Sequence, residues 1–132
     1  MFVIEAPKDC GNAPKKQFLV DYQRALAEKD LDFLSNHLSA RIKWEVVGEM
    51  TISGKEEFLK HISETKFGKA QHLVVETVIT HGTDAALSGR LTTADGGIYH
   101  FCEVYKFKGF KGFELASIKS YFVEATPEQS QQ

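Results

Sequence analysis

Two glutamates stand inside segments that otherwise read as buried strands, and a carboxyl group held out of water is the chain's main candidate for chemistry. Glu103 falls among Tyr99, Phe101 and Tyr105. Those neighbours would desolvate it, raise its pKa and turn it into a hydrogen-bond donor. Arg90 stands across the intervening hairpin. With the turn at Gly96-Gly97 the two side chains are directly opposite, and with the turn at Asp95-Gly96 they are diagonal neighbours within reach. The arginine is then either the partner in a structural ion pair or an anchor for a substrate carboxylate, which its fork suits. Glu45 lies beside Trp44 in the segment Arg41 to Gly48. Alternation puts Ile42, Trp44 and Val46 on the buried face and Lys43 and Glu45 outward, and a slip of one residue would exchange them. Tyr22 adds a phenol on the apolar stripe of a helix, where a core tyrosine with a satisfied hydroxyl is the other reading.

Other chemistries find no footing. His37, His61, His72, His81 and His100 show no metal-binding spacing, so no metal site is expected. No nucleophile elbow, phosphate loop or dinucleotide fingerprint occurs, and no cofactor is expected. Cys10 and Cys102 are far apart and suggest neither a disulfide framework nor zinc, which makes a reducing cytoplasm the expected location. A net charge of −2 over 132 residues gives no electrostatic reason to expect nucleic acid or an anionic membrane as a partner. Lys106, Lys108 and Lys111 cluster around the last turn as a solvated edge. The opening residues Met1 to Glu5 are too short for a signal-peptide core, and no run approaches membrane-spanning length.

The elements that must position these residues follow from periodicity. Pro14 suits a helix's first turn, and Phe18, Leu19, Tyr22, Ala25 and Leu26 predict an amphipathic helix to about Lys29. Asp30 can cap a second, shorter helix carrying Leu31, Leu34 and Leu38. A short strand over Ile42 to Val46 follows. Ser53 and Glu56 then form a capping box for a third helix with Phe58, Leu59 and Ile62 on its apolar face, ended by Gly68. After Gly68 four longer strands are expected: His72 to Ile79, Ala85 to Leu91, Ile98 to Phe107, and Phe113 to Val123. Helices first and strands afterwards predict an α+β domain with the helices packed on one face of an antiparallel sheet. At 42% apolar and 26% charged residues, the chain is long enough for one core. The expected layout is an N-terminal extension over 1–13, a single domain over 14–124 and a polar tail over 125–132.

The aromatic strand carries a further expectation. Tyr99, Phe101, Tyr105 and Phe107 share one face, and Ile98, Cys102 and Val104 share the other, together with His100. A strand apolar on both faces should be covered on both. Helices and a pocket would cover one side, and a second copy in a homodimer the other.

The order of three helices, a short strand before the third, and four long strands resembles the nuclear transport factor two-like superfamily, which includes SnoaL-like polyketide cyclases and ketosteroid isomerases. The resemblance runs from about Pro14 to Glu124. It rests on Lys29-Asp30, on Trp44-x-x-x-Gly48, on Ser53-Gly54-Lys55-Glu56-Glu57-Phe58, and on Leu115-x-x-Ile118-x-x-Tyr121. It implies a cone-shaped, strongly curved sheet of one short and four long strands around the helices, a pocket at the wide end, and usually a dimer.

Within the ketosteroid-isomerase branch, the resemblance implies catalytic roles for Tyr22, Glu45 and Glu103. Tyr22 stands before Asp30 as the family's oxyanion-binding tyrosine does. Glu103-Val104-Tyr105-Lys106-Phe107 is similar to the segment holding the family's protonated acid. Counted back from Gly48 and Gly54, Glu45 takes the place of the proton-moving base; counted forward from Asp30, Val46 does. Both glutamates are one methylene longer than the aspartates they replace, where reacting atoms must approach within about 3–3.5 Å. The implied function is a pocket for a small, largely apolar molecule. Phe18, Tyr22, Trp44, Tyr99, Phe101 and Tyr121 would form its walls, and Glu103 with Arg90 its polar anchor. Cofactor-independent isomerisation, cyclisation or hydration of a carbonyl compound is the implied chemistry. The alternative is a non-catalytic ligand-binding or adaptor domain.

Overall fold

Pro14 opens the first helix, and Lys29 closes it. In the computed structural model, which describes residues 2–8, 13–65 and 70–125, helix α1 spans Pro14–Glu28 with proline in its first turn. Lys29 takes the left-handed conformation, φ 53°, and the Asp30 N–H closes onto the Ala25 carbonyl at 2.9 Å. The Asp30 carboxylate then accepts from the Phe33 N–H at 3.1 Å and starts α2, Leu31–His37. Leu38, expected on that helix, begins strand β2 over Leu38–Val46, and it is buried there all the same. Ahead of α1, Val3–Glu5 forms a short strand, β1.

The Val46–Gly48 turn leads into β3, Met50–Ser53, which pairs antiparallel with β2. Ser53 is therefore held in the sheet opposite Lys43, and the expected capping box does not form. Gly54, at φ 95°, donates instead to the Ile42 carbonyl at 2.8 Å and opens α3, Lys55–Glu64. That helix ends at Thr65. Gly68, expected to end it, lies outside the described residues, as do Cys10 and residues 126–132 of the tail.

The long strands are β4 (Ala70–His81), β5 (Asp84–Thr93), β6 (Ile98–Phe107) and β7 (Leu115–Glu124). The sheet runs β1-β4-β5-β6-β7-β2-β3. The long strands pair antiparallel, as expected. The β1–β4 and β2–β7 ladders are parallel, so the whole sheet is mixed, with two short strands beyond those read from the sequence. Three helices pack on this strongly curved, unclosed sheet. Register breaks supply the bending. In β4 the break between Val75 and Thr77 reverses the alternation, so Val78 turns inward and Ile79 is exposed. Gly89 sits across that break, where a Cβ would come 2.1 Å from the Val74 carbonyl oxygen. Among the described residues, no helix is long and apolar enough to cross a membrane.

Candidate functional site

The concave side of the sheet holds a cavity that opens to solvent. Trp44, Ile62, Leu73, Leu91, Phe101 and Phe122 supply much of its apolar wall, and Gln23, Glu49, His61 and Glu103 its polar groups. Strand register explains the wall. Leu87, Glu103, Ser120 and Val46 stand side by side across β5, β6, β7 and β2, so all four face inward. Val46 therefore lines the cavity. Glu45 pairs with Thr51 and Lys119 and points away from it. The burial pattern, not the count back from the glycines, places this strand.

Glu103 is 3% exposed and is met by three donors. Gln23 Nε2 donates to Oε1 at 2.6 Å and the Tyr105 hydroxyl donates to Oε1 at 2.7 Å. Ser120 Oγ donates to Oε2. Trp44 Nε1 in turn donates to Ser120 Oγ at 2.9 Å, and Gln23 Nε2 also lies 2.9 Å from the Tyr105 hydroxyl. Four side chains from α1, β2, β6 and β7 thus form one network around the Glu103 carboxylate. Both its oxygens are engaged by neutral side-chain partners, and no cation is among them.

The field of that carboxylate acts on its neighbours. Burial, and then the negative charge of Glu103, push the Tyr22 hydroxyl well above the ordinary tyrosine range. Tyr105 is raised for the same two reasons in the same order, with further contributions from Tyr22 and from its bond to Glu103 and an opposing one from Gln23. On the outer face the Cys102 thiol is also raised, by burial first and Glu103 second. Both phenols stay protonated at neutral pH.

The structure brings some of the predicted residues together and separates others. Trp44, Phe101 and Glu103 line the cavity. Tyr22 is buried edge-on against Tyr105, with ring centroids 6.0 Å apart, just behind the lining. Phe18 belongs to a separate aromatic cluster with Phe33, His37, Phe107 and Phe113. Tyr99 shares the inward side of β6 but sits at its hairpin end, between Leu91 and Glu124, outside the lining. Tyr121 pairs with Cys102 on the outer face and is 42% exposed; the strand's two-residue period gives the wall position to Phe122 instead.

Arg90 does not meet Glu103. The hairpin turns on three residues, Ala94-Asp95-Gly96, with Gly96 at φ 89° and the Thr93–Gly97 pair closing it at 2.9 Å. This odd loop places Arg90 opposite His100 and sets Arg90 and Glu103 on opposite faces of the sheet. Sequence reasoning missed Gln23, Ser120 and His61. The signal for the first two was present: Gln23 lies one helical turn after Leu19 on the buried stripe, and Ser120 alternates with Ile118 and Phe122. His61 packs edge-on against Trp44, centroids 5.5 Å apart, from the third helix.

No protein-family model matches the chain, and no curated protein does. Solved structures do. A protein from Shewanella denitrificans assigned as a SnoaL-like polyketide cyclase superposes with a TM-score of 0.70 at 12% identity, covering 90% of this chain and 94% of that one. One from Kribbella flavida assigned as a ketosteroid isomerase gives 0.66 at 18% identity, covering 80% and 74%. An LEH-like epoxide hydrolase from M. tuberculosis gives 0.62 at 16% identity, covering 76% and 75%. Likeness at such low identity reports architecture, and the architecture here is the cone fold of the nuclear transport factor two-like (NTF2-like) proteins.

Proposed function

We propose that this protein is a small-molecule-binding pocket protein of the SnoaL-like kind, holding a small, largely apolar ligand against Glu103. The observation that carries this reading is an apolar cavity with a buried, hydrogen-bonded carboxylate in its wall. The structural neighbours assigned as cyclase, isomerase and epoxide hydrolase support acid–base chemistry as the reaction class. Isomerisation, cyclisation and hydration each need a group that takes up and returns a proton, and we assign that role to Glu103.

Val46 favours the second reading, a non-catalytic binding domain. One count of the resemblance puts that residue where the base would stand, and Glu45 faces away from the cavity. The first test is the ligand itself. Protein purified natively should release a stoichiometric apolar small molecule on denaturation, identified by mass spectrometry. Leu91→Trp, which fills the cavity, should release none. Equal retention by both proteins, or none by either together with no thermal shift from a panel of apolar compounds, sinks the pocket reading.

We also propose that two copies pair through the outer sheet face. Val104, Tyr121 and Val123 are 43%, 42% and 64% exposed on adjoining strands of that face, with Cys102 and Ala86 beside them.

A further inference from the structure

The polarity of the Glu103 end of the cavity is one-sided. Gln23 turns its amide nitrogen toward the carboxyl group and donates to Oε1 at 2.6 Å. That nitrogen also serves the Tyr105 hydroxyl, which in turn donates to Glu103. Ser120 donates to Glu103 and accepts from Trp44. Every N–H and O–H of this side-chain cluster is thereby committed. What remains are acceptors: a lone pair on Glu103 Oε2 and the side-chain carbonyl of Gln23.

The charge is one-sided as well. Among the described residues, the titratable groups lining the cavity are Glu49, His61 and Glu103, with no lysine or arginine. The ion pairs found among those residues, Glu5–His72, Asp84–Lys106 and Glu114–Lys108, lie elsewhere. A carboxylate this deeply buried is normally matched by a cation, and here only neutral donors meet it. The rings of Trp44 and Phe101 complete a wall that suits a positive charge.

We propose that the ligand is an apolar amine, bound as its ammonium, donating to Glu103 Oε2 and to the Gln23 carbonyl. This rests on the pocket reading above and assigns the polar group that reading leaves open. A ketone oxygen would meet acceptors and no uncommitted donor within the Glu103 cluster. A carboxylate or phosphate would meet the charge of Glu103. An alcohol can donate one bond but brings no counter-charge.

Isothermal titration calorimetry of the full chain with four matched probes tests it: 4-phenylbutylamine, its N-acetyl derivative, 4-phenylbutan-1-ol and 4-phenylbutan-2-one. The amine should bind on the order of tenfold to a hundredfold tighter than the others, the weight of a hydrogen bond to a charged group. Glu103→Gln should erase that advantage. A ketone, alcohol or amide that equals the amine overturns the proposal while leaving the pocket reading standing, as does an advantage that survives Glu103→Gln. Should that variant fail to fold, the amine against its N-acetyl derivative on the unaltered protein decides. Binding of none of the four overturns the proposal, and the ligand-release test above decides the pocket reading separately.

Discussion

Glu103 is the one charged side chain fully buried among the described residues, and the residues around it are chosen by what it needs. A polar residue on a helix stripe and a serine in an apolar strand each look like a small defect until the carboxylate between them is placed. Glu103 was legible as a carboxylate among aromatic residues; Gln23 and Ser120 carried only a burial pattern, and their roles appear once the partner is in place, 80 residues away for Gln23 and 17 for Ser120. The two phenols beside it set a measurable pH dependence. Tyr22 and Tyr105 are raised above 10.0 in the folded state, so the unfolded chain gives up their protons first as pH rises. Their contribution to stability is complete below about pH 10 and is lost as pH climbs from there toward the folded-state values, at about 1.4 kcal/mol per pH unit for each group. Urea denaturation between pH 9 and pH 11 should show that decline. In Tyr22→Phe the slope should be shallower by about one group's share, and an unchanged slope would count against the buried-phenol assignment.

At the scale of elements, periodicity carried most of the fold and failed wherever a single residue was added or removed. The three helices and four long strands were readable because each repeats its pattern several times over. The Arg90–Glu103 contact was not, since it depended on whether a hairpin loop held two residues or three, and the third residue carried Arg90 to the other face. The break in β4 did the same to Ile79. Ser53 was claimed by a strand pairing with Lys43, a competition that a capping motif alone cannot display. Gly89 marks the tightest of these irregularities. Gly89→Ala should destabilise the protein by more than about 2 kcal/mol, because the new methyl meets backbone rather than a movable side chain. Chemical denaturation will check this. A loss under half a kilocalorie, about the noise of a surface substitution, would mean the sheet bends elsewhere.

For the whole molecule, the curved sheet divides the protein into a cavity side and an outer side with different chemistry. The outer face should bring two copies together: light scattering after size exclusion at micromolar concentration should return a dimer. Val123→Glu, placing charge on the most exposed apolar residue of β7, should shift it to monomer with the fold intact by circular dichroism. A wild-type monomer would leave that face without its proposed partner. On the ligand side, Trp44 is the chain's single tryptophan. It lies in the cavity wall with His61 against its ring and Ser120 on its nitrogen. All the indole emission of the protein therefore originates from the lining of the pocket. Any compound that enters the cavity should thus change the brightness and colour of that emission, a readout that needs no label.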